Sequence, residues 1–380
     1  MTASSKAQPL PRWADLVLLP IVCLAVALIV AAGVVALVGQ NPLDVITVLV
    51  RGAFGTARGL SYTFYYATTF IFTGLAVAVA IHAGLFNIGG EGQAIMGGLG
   101  TGLAALWLGA YLPAWLMLPV MLISGVVFGM LWAAVPGYLQ AYRGSHVVIT
   151  TIMFNFIASS LLVYLLVNHL RPRGTMSVES ASFEPSAKLP GMHEALAWFG
   201  VQWPSSPLNL SVFLALLAAL GVYLFLWRTR AGFHLRAVGS SPSAAEYAGI
   251  RSKRQVIVAM AISGALAGMV GMNEIAGVNG KLLLEFVSGA GFTGIAVALM
   301  GRNHPVGIIF ASVLFGALYQ GGAEVAFEIR GFSRDMVVLL QGFIVLFSGA
   351  MAYVIARPVG WVLNLFNRPS ATTKPGAAHG

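Results

Sequence analysis

Charged side chains are scarce in this sequence, since only 9% of its 380 residues are Asp, Glu, Lys or Arg. About a quarter of a typical soluble domain is charged. Hydrophobic residues make up 58% of the chain and come in blocks of about twenty, long enough as helices to cross the roughly 30 Å hydrocarbon core of a bilayer. A transmembrane barrel would show short alternating segments instead. The composition therefore predicts an all-α polytopic membrane protein.

Motifs for catalysis or metal binding are also missing. The sole cysteine, Cys23, excludes an intramolecular disulfide, and no paired cysteines or His-Glu-x-x-His pattern supports a metal site. The segment GVNGKL at residues 277–282 has neither the spacing nor the hydroxyl of a phosphate loop. We expect no enzyme activity, no ATP hydrolysis and no cofactor in this chain. The net charge of +9 indicates loop orientation in a membrane protein rather than nucleic-acid binding.

Hydropathy and helix breakers predict about ten transmembrane helices within a permease domain at residues 16–356. With the N-terminus inside, the cytoplasmic segments hold 13 of the 21 Lys and Arg residues, as the positive-inside rule requires. The short tails at 1–15 and 357–380 are then both cytoplasmic, and we expect the protein in the plasma (inner) membrane of a prokaryote. The predicted helices lie near residues 16–38, 60–82, 90–110, 115–138, 147–168, 210–228, 255–277, 288–302, 305–326 and 336–356.

Two connecting loops are long. The proline-rich outer loop, near residues 168–209, is either an extracytoplasmic cap that receives a partner or a passive connector. The inner loop, near 228–255, contains Ser240, Ser241 and Pro242, which predict the start of a short helix closed by Gly249. That helix either contacts a partner or lies on lipid headgroups.

Three segments carry a family resemblance. They read GFHLRAVGSSPSAAEYAGI at residues 232–250, AGLFNIGGEGQAIMGGLG at 83–100 and GFTGIAVALMGRNHPVGIIFASVLFGAL at 291–318. As a set they resemble the permeases of the ABC importers for branched-chain amino acids, ribose-type sugars and nucleosides, and the resemblance extends from about residue 60 to 356. The second segment and the AAEYAGI ending look most like the permeases of nucleoside and simple-sugar importers.

The resemblance implies a transport subunit that uses ATP and Mg²⁺ only through a separate ABC ATPase. A second permease subunit, expected to be a paralogue, and an extracytoplasmic solute-binding protein would complete the importer, with a nucleoside or a simple sugar as the small-molecule substrate. The inner loop would be the cytoplasmic coupling loop. Its docking residues would be Pro242, Ala245, Glu246, Tyr247, Ala248, Gly249 and Ile250.

Polar residues in glycine-rich segments are candidates for the translocation pathway. Asn87, Glu91 and Gln93 lie among glycines between two apolar helices, where irregular backbone is tolerated if protein or a water-filled cavity satisfies it. Glu91 could instead cap the predicted third helix. Asn273 and Glu274 lie in a similar interrupted segment, and an ion-coupled secondary transporter, the alternative function, would titrate Glu91 or Glu274. The corresponding positions of these segments favour an inverted repeat of helices 2–5 and 7–10.

Aromatic residues cluster near the outer end of the predicted second helix, in SYTFYYATTF. Such residues commonly form an interfacial belt. The alternative is that Tyr66 or Phe70 faces the pathway and stacks on a nucleobase or a sugar ring. Asn155 in the fifth helix either bonds to a neighbouring helix or donates a hydrogen bond to the same ligand.

Overall fold

The computed structural model describes residues 18–37, 39–329 and 334–346. These residues divide into two units, one at residues 44–337 and the other formed by the flanking segments. All regular elements among the described residues are helical, apart from two isolated bridges. The predicted tails at 1–15 and 357–380, and the predicted helix beyond residue 346, lie outside the described residues.

Fourteen α-helices are present in the described part of the chain, and the all-α prediction is confirmed. The helices are α1 (Leu19–Leu37), α2 (Pro42–Phe54), α3 (Ala57–His82), α4 (Gly90–Leu108), α5 (Ala114–Arg143), α6 (Val147–Leu165), α7 (Met192–Ala197), α8 (Ser211–Arg228), α9 (Arg230–Ser240), α10 (Pro242–Tyr247), α11 (Ser252–Gly268), α12 (Ala290–Met300), α13 (Pro305–Glu328) and α14 (Arg334–Val345). A π-helix at Leu166–Leu170 extends α6, and a second at Met272–Asn279, which we call the 272–279 π-helix, follows α11.

Six helices of the described residues are long and apolar enough to cross a membrane: Ala57–His82, Ala114–Arg143, Val147–Leu170, Ser211–Arg228, Ser252–Asn279 and Pro305–Glu328. The predicted total of about ten spans stays a prediction. Three helices, α2, α7 and α9, were not predicted; α7 is a six-residue helix within the long outer loop, and α2 and α9 are longer. Helices α2 and α9 are amphipathic rather than uniformly apolar, so a search for long hydrophobic runs passes over them.

Small residues set the packing of the larger unit. In α5, Gly125 and Gly129 face Gly264 and Gly268 of α11, and a Cβ atom built on Gly264 would lie 2.2 Å from the carbonyl oxygen of Gly129. These paired Gly-x-x-x-Gly motifs bring two helix backbones together, a recurrent way to pack helices in membranes. On the other side of the bundle, α3 packs against α12 and α13.

The two predicted repeats, which begin with α3 and with α11, have corresponding packing partners. Just as α3 packs on α12 and α13, α11 packs on α4 and α5. Helices α4 and α12 each begin after an irregular glycine-rich segment, and their first turns meet where a Cβ on Gly291 would lie 2.2 Å from the backbone nitrogen of Glu91. This exchange of partners is what an inverted repeat predicts.

The long loop between α6 and α8 is attached to the segment that contains the 272–279 π-helix. Backbone hydrogen bonds join Leu189 N to Ala276 O at 2.9 Å and Phe183 N to Gly280 O at 2.7 Å. Lys281 forms an ion pair with Glu179 at 2.8 Å. The loop is therefore an ordered cap over this end of α11, because its backbone polar groups have partners there.

Candidate translocation pathway and coupling helix

The inner loop folds into two short helices. Thr229 caps α9 by accepting a hydrogen bond from Gly232 N at 3.0 Å, and Ser241 caps α10 by accepting one from Ala244 N at 3.4 Å. Pro242 occupies the first turn of α10, and Gly249 after it has a φ of +79°. The predicted short helix is therefore present, with the cap, the proline and the glycine in the expected positions.

One face of α10 is anchored and the other is open. Ala245 and Ile250 are 3% and 9% exposed and pack with Val238 of α9. The remaining residues of the predicted docking set are exposed, and Tyr247 presents 95% of its surface to solvent. A short helix that is held from behind and displays a large aromatic side chain is suited to contact another protein, since buried aromatic residues contribute strongly to interfaces.

The two helices of the inner loop are also connected to the membrane spans. Gly239 of α9 contacts the backbone at Gly84, just after α3, and the Ser252 hydroxyl at the start of α11 donates to Pro242 O at 3.3 Å. Helix α10 is therefore linked directly to the start of α11, and through α9, on which it packs, to the end of α3.

The glycine-rich segment before α4 holds a buried amide network. Asn87 Nδ2 donates to Gln93 Oε1 at 3.0 Å and to Ser263 Oγ at 2.8 Å, and Asn87 Oδ1 accepts from Gln93 Nε2 at 3.1 Å. Asn87 and Gln93 are each 1% exposed. In this conformation the two predicted pathway residues connect α4 to α11 and do not face an open channel.

Asn155 of α6 forms hydrogen bonds with the backbone at the start of α4. Its Oδ1 accepts from Gly92 N at 2.8 Å, and its Nδ2 donates to Ile88 O at 3.0 Å. These contacts correspond to the interhelical alternative, because a buried helix N-terminus needs acceptors for its free N–H groups. Contact of Asn155 with a ligand stays a prediction.

Glu91 caps a helix, but not its own. Its two carboxylate oxygens accept hydrogen bonds from Gly289 N at 2.9 Å and Gly291 N at 2.8 Å, at the N-terminus of α12. The side chain itself belongs to the first turn of α4. One carboxylate thus lies between two helix N-termini, both of which carry partial positive charge.

A second buried network surrounds Glu274 in the 272–279 π-helix. The carboxylate accepts hydrogen bonds from the Tyr65 hydroxyl, from Thr69 Oγ1 at 2.6 Å and from Asn273 Nδ2 at 3.3 Å. Asn273 also accepts from Ser211 Oγ at 2.7 Å. The two predicted residues therefore lie together and bind the π-helix to α3 and α8. The predicted interruption of the helix takes the form of this π-helix.

An aromatic cluster lies beside this network. Tyr66 packs against Tyr65 and Tyr319, with ring centroids 5.1 and 5.6 Å apart, and the Tyr319 hydroxyl lies 3.1 Å from Thr293 Oγ1. Tyr66, Tyr319 and Thr293 are half-buried. Phe70 is only 2% exposed, because Tyr319 and Phe315 cover its ring. Phe70 therefore supports the cluster from behind, and contact of Tyr66 with a ligand stays a prediction.

Several residues of these clusters were not singled out from the sequence. Tyr65 and Thr69 differ by four positions and so share one face of α3, a polar stripe that could have marked them. Ser263, Thr293 and Tyr319 give no comparable signal, because no polar residue four positions away in the same helix forms a stripe with any of them.

Comparison with known proteins agrees with this geometry. The family described as "branched-chain amino acid transport system / permease component" matches residues 59–349. The nucleoside ABC transporter permease NupB of Lactococcus lactis is 33% identical over 89% of this chain and 92% of its own length. The guanosine ABC transporter permease NupP of Bacillus subtilis is 34% identical over 90% and 95%. The glucose ABC transporter permease TsgB13 of Haloferax volcanii is 34% identical over 85% of both chains.

The first two organisms each have a second, more distant permease that also matches, NupC at 27% and NupQ at 26% identity. The fold and the comparisons define the class of protein as an integral membrane permease of ATP-driven import. Within that class, the chain belongs to the branched-chain amino acid transport system permease family.

Proposed function

We propose that this chain is a permease subunit of a nucleoside-importing ABC transporter and that α10 is the helix through which a separate ATPase drives it. The observation that carries the coupling proposal is α10 itself, which is buried at Ala245, exposed at Tyr247 and followed by the buried Ile250. The contact of α10 with the start of α11, and the contact of the neighbouring α9 with the end of α3, support transmission of movement into the bundle. Membership of the permease family favours this reading over an ion-coupled carrier.

The coupling proposal is tested by ATP-dependent uptake into vesicles that contain the assembled transporter. We expect Tyr247→Ala to reduce uptake at least tenfold at unchanged membrane abundance, because it removes the exposed aromatic anchor. Tyr111→Ala is the matched control, since Tyr111 is 81% exposed and follows α4 beside the long loop. Undiminished uptake with Tyr247→Ala would refute the assignment of α10.

A cross-linking experiment gives an independent result. Because Cys23 is the sole cysteine, Tyr247→Cys on a Cys23→Ala background introduces one reactive thiol. We expect a cross-link to the ATPase subunit from this position and none from a cysteine placed at Tyr111. Equal cross-linking from both positions would contradict specific docking.

The proposed substrate is a nucleoside, which stacks its base on Tyr66 beside Tyr319. The half-buried rings and the hydroxyls of Tyr319 and Thr293 suit a flat base joined to a ribose, and relatives named as nucleoside and guanosine permeases support this choice. Stacking predicts that Tyr66→Ala raises the KM for nucleoside uptake up to about tenfold while Tyr66→Phe does not. Uptake of labelled glucose but not of labelled nucleoside would favour the sugar alternative. The similarity to the glucose permease of Haloferax volcanii is the observation that supports this alternative.

The remaining subunits belong to the same proposal. The pairs NupB with NupC and NupP with NupQ support a second, paralogous permease. An extracytoplasmic solute-binding protein would deliver the substrate to the face that carries the long loop, with both termini of this chain in the cytoplasm. Copurification of the tagged chain from its native membrane tests this composition, and recovery of one permease species only would contradict the paralogue.

A further inference from the structure

A polar cavity of about 490 Å³ lies between the long loop and the 272–279 π-helix, at the end of the bundle where α5 begins. Its polar side-chain groups are the Lys188 ammonium, the His193 imidazole, the Glu194 carboxylate, the Ser206 hydroxyl and the Asn279 amide. The backbone of residues 276–280 forms one wall, and Leu118 of α5 forms another.

Polar groups in this cavity lack partners within the part of the chain that the structure describes. His193 Nδ1 and Ser206 Oγ are inaccessible to solvent and make no hydrogen bond there. Lys188 forms no ion pair with any described carboxylate. The two buried atoms can reach a ligand only after a side-chain rotation, whereas the exposed ammonium of Lys188, unpaired among the described residues, is already placed to bind an anionic group.

An apolar groove of about 270 Å³ lies next to this cavity. It runs between Leu118, Pro119 and Leu122 of α5 and Leu210 and Leu214 near the start of α8, with Met272 at its base. Leu118 and Leu189 line both the groove and the polar cavity. The two spaces are therefore neighbours, one polar at the end of the bundle and one apolar along the spans.

We propose that the cavity and the groove together form a binding site for one glycerophospholipid. The lipid phosphate lies beside Lys188 and His193, the Glu194 carboxylate receives the ammonium of a zwitterionic headgroup, and one acyl chain occupies the groove between α5 and α8. A polar end and an apolar end on one ligand match the two adjoining spaces.

The apolar groove favours a ligand with an acyl chain over smaller ligands. Free phosphate or a transported nucleoside could fill the polar cavity, but neither has an acyl chain to occupy a leucine-lined groove. The site also lies where α5 and α8, two of the apolar spans, begin, and lipid headgroups are found at the ends of such spans.

The proposed lipid site is in contact with the 272–279 π-helix. Met272 in the groove and residues 276–280 in the cavity wall belong to or directly follow the 272–279 π-helix, which also carries Asn273 and Glu274. A bound lipid would stabilise this helix through mass action, since a ligand that binds the folded state alone raises stability.

The test uses the full-length protein, purified in detergent, stripped of lipid and titrated with phosphatidylethanolamine, with binding followed by native mass spectrometry. We expect one tightly bound lipid and a rise in thermal stability. Lys188→Ala should weaken binding about tenfold, the effect of one charge-assisted hydrogen bond. Lys281→Ala is the matched control, because Lys281 pairs with Glu179 outside both spaces and should leave binding unchanged.

A second variant, Leu122→Trp, fills the groove from the α5 side and should reduce lipid binding without altering the headgroup cavity. The proposal is overturned if the lysine variants weaken binding equally, if Leu122→Trp leaves it unchanged, or if glycerophosphoethanolamine, which has no acyl chains, binds as tightly as the lipid. Circular dichroism of each variant establishes that the helices are retained.

Discussion

Removal of the Glu91 carboxylate separates a structural role from a ligand-binding one. In the structure this group accepts hydrogen bonds from Gly289 N and Gly291 N at 2.9 and 2.8 Å. Glu91→Ala leaves both N–H groups of the α12 N-terminus without this acceptor. We expect a large loss of stability, because the two N–H groups lie where two helix N-termini meet inside the bundle.

The magnitude follows from the number and kind of the bonds lost. A hydrogen bond to a charged group contributes about 1.5–3 kcal/mol, and the two bonds to one carboxylate are not additive. We therefore expect Glu91→Ala to lower the free energy of unfolding by about 3 kcal/mol, roughly a hundredfold in the unfolding equilibrium. Glu91→Gln keeps one acceptor oxygen and should lose about half as much.

The assay is reversible unfolding in mixed micelles of dodecyl maltoside with increasing sodium dodecyl sulfate, followed by circular dichroism. The control is Glu285→Asn, which removes an exposed carboxylate from the same connection; asparagine tolerates the left-handed backbone of residue 285, whose φ is +55°. This control should unfold like the wild type. Uptake kinetics are measured in parallel on the assembled transporter.

One pattern of results would refute the capping role. If Glu91→Ala unfolds like the wild type but raises the KM for the solute, the carboxylate contacts substrate rather than α12. If Glu91→Gln loses as much stability as Glu91→Ala, the one acceptor oxygen that glutamine keeps contributes nothing. The geometry with two stabilising hydrogen bonds would then be wrong.

Three further predictions concern other contacts. Glu274→Ala should destabilise the protein by about 3 kcal/mol or more, because it leaves the Tyr65 and Thr69 hydroxyls without their acceptor, whereas Tyr65→Phe removes one donor and should cost about 1–2 kcal/mol; equal effects in the same unfolding assay would contradict the network. Gly264→Leu should prevent close packing of α11 on α5 and reduce the folded fraction recovered from membranes, while the same yield as wild type would mean that the helices separate without cost. Arg51→Ala breaks an exposed ion pair with Glu328 and should change stability by less than about 1 kcal/mol; a larger loss would show that α2 depends on that pair.

The sequence predicted elements whose signals are local. Long apolar runs identified the candidate spans, since length and hydropathy can be read from each segment alone. The cap, the proline and the glycine around Pro242 predicted α10. The segments that resemble the permease family led to the same class that the comparisons show.

Elements without a strong local signal in the sequence were found only in the structure. Helices α2 and α9 are amphipathic and short, so they depend on packing against the spans more than on their own hydropathy. Glycines in Gly-x-x-x-Gly spacing are common in apolar helices, and the sequence does not tell which glycines meet.

Glu91 illustrates the limit most clearly. Its sequence position allowed a cap on α4 or a place in a pathway, but its hydrogen-bond partners are Gly289 and Gly291, 198 and 200 residues further along the chain. Glu274 likewise has partners on α3, more than 200 residues earlier. Sequence by itself determined which segments are long and apolar enough to cross a membrane, because length and hydropathy are properties of each segment. Which polar groups meet inside was decided by tertiary structure, because each buried donor and acceptor must find a partner wherever the packed helices place one.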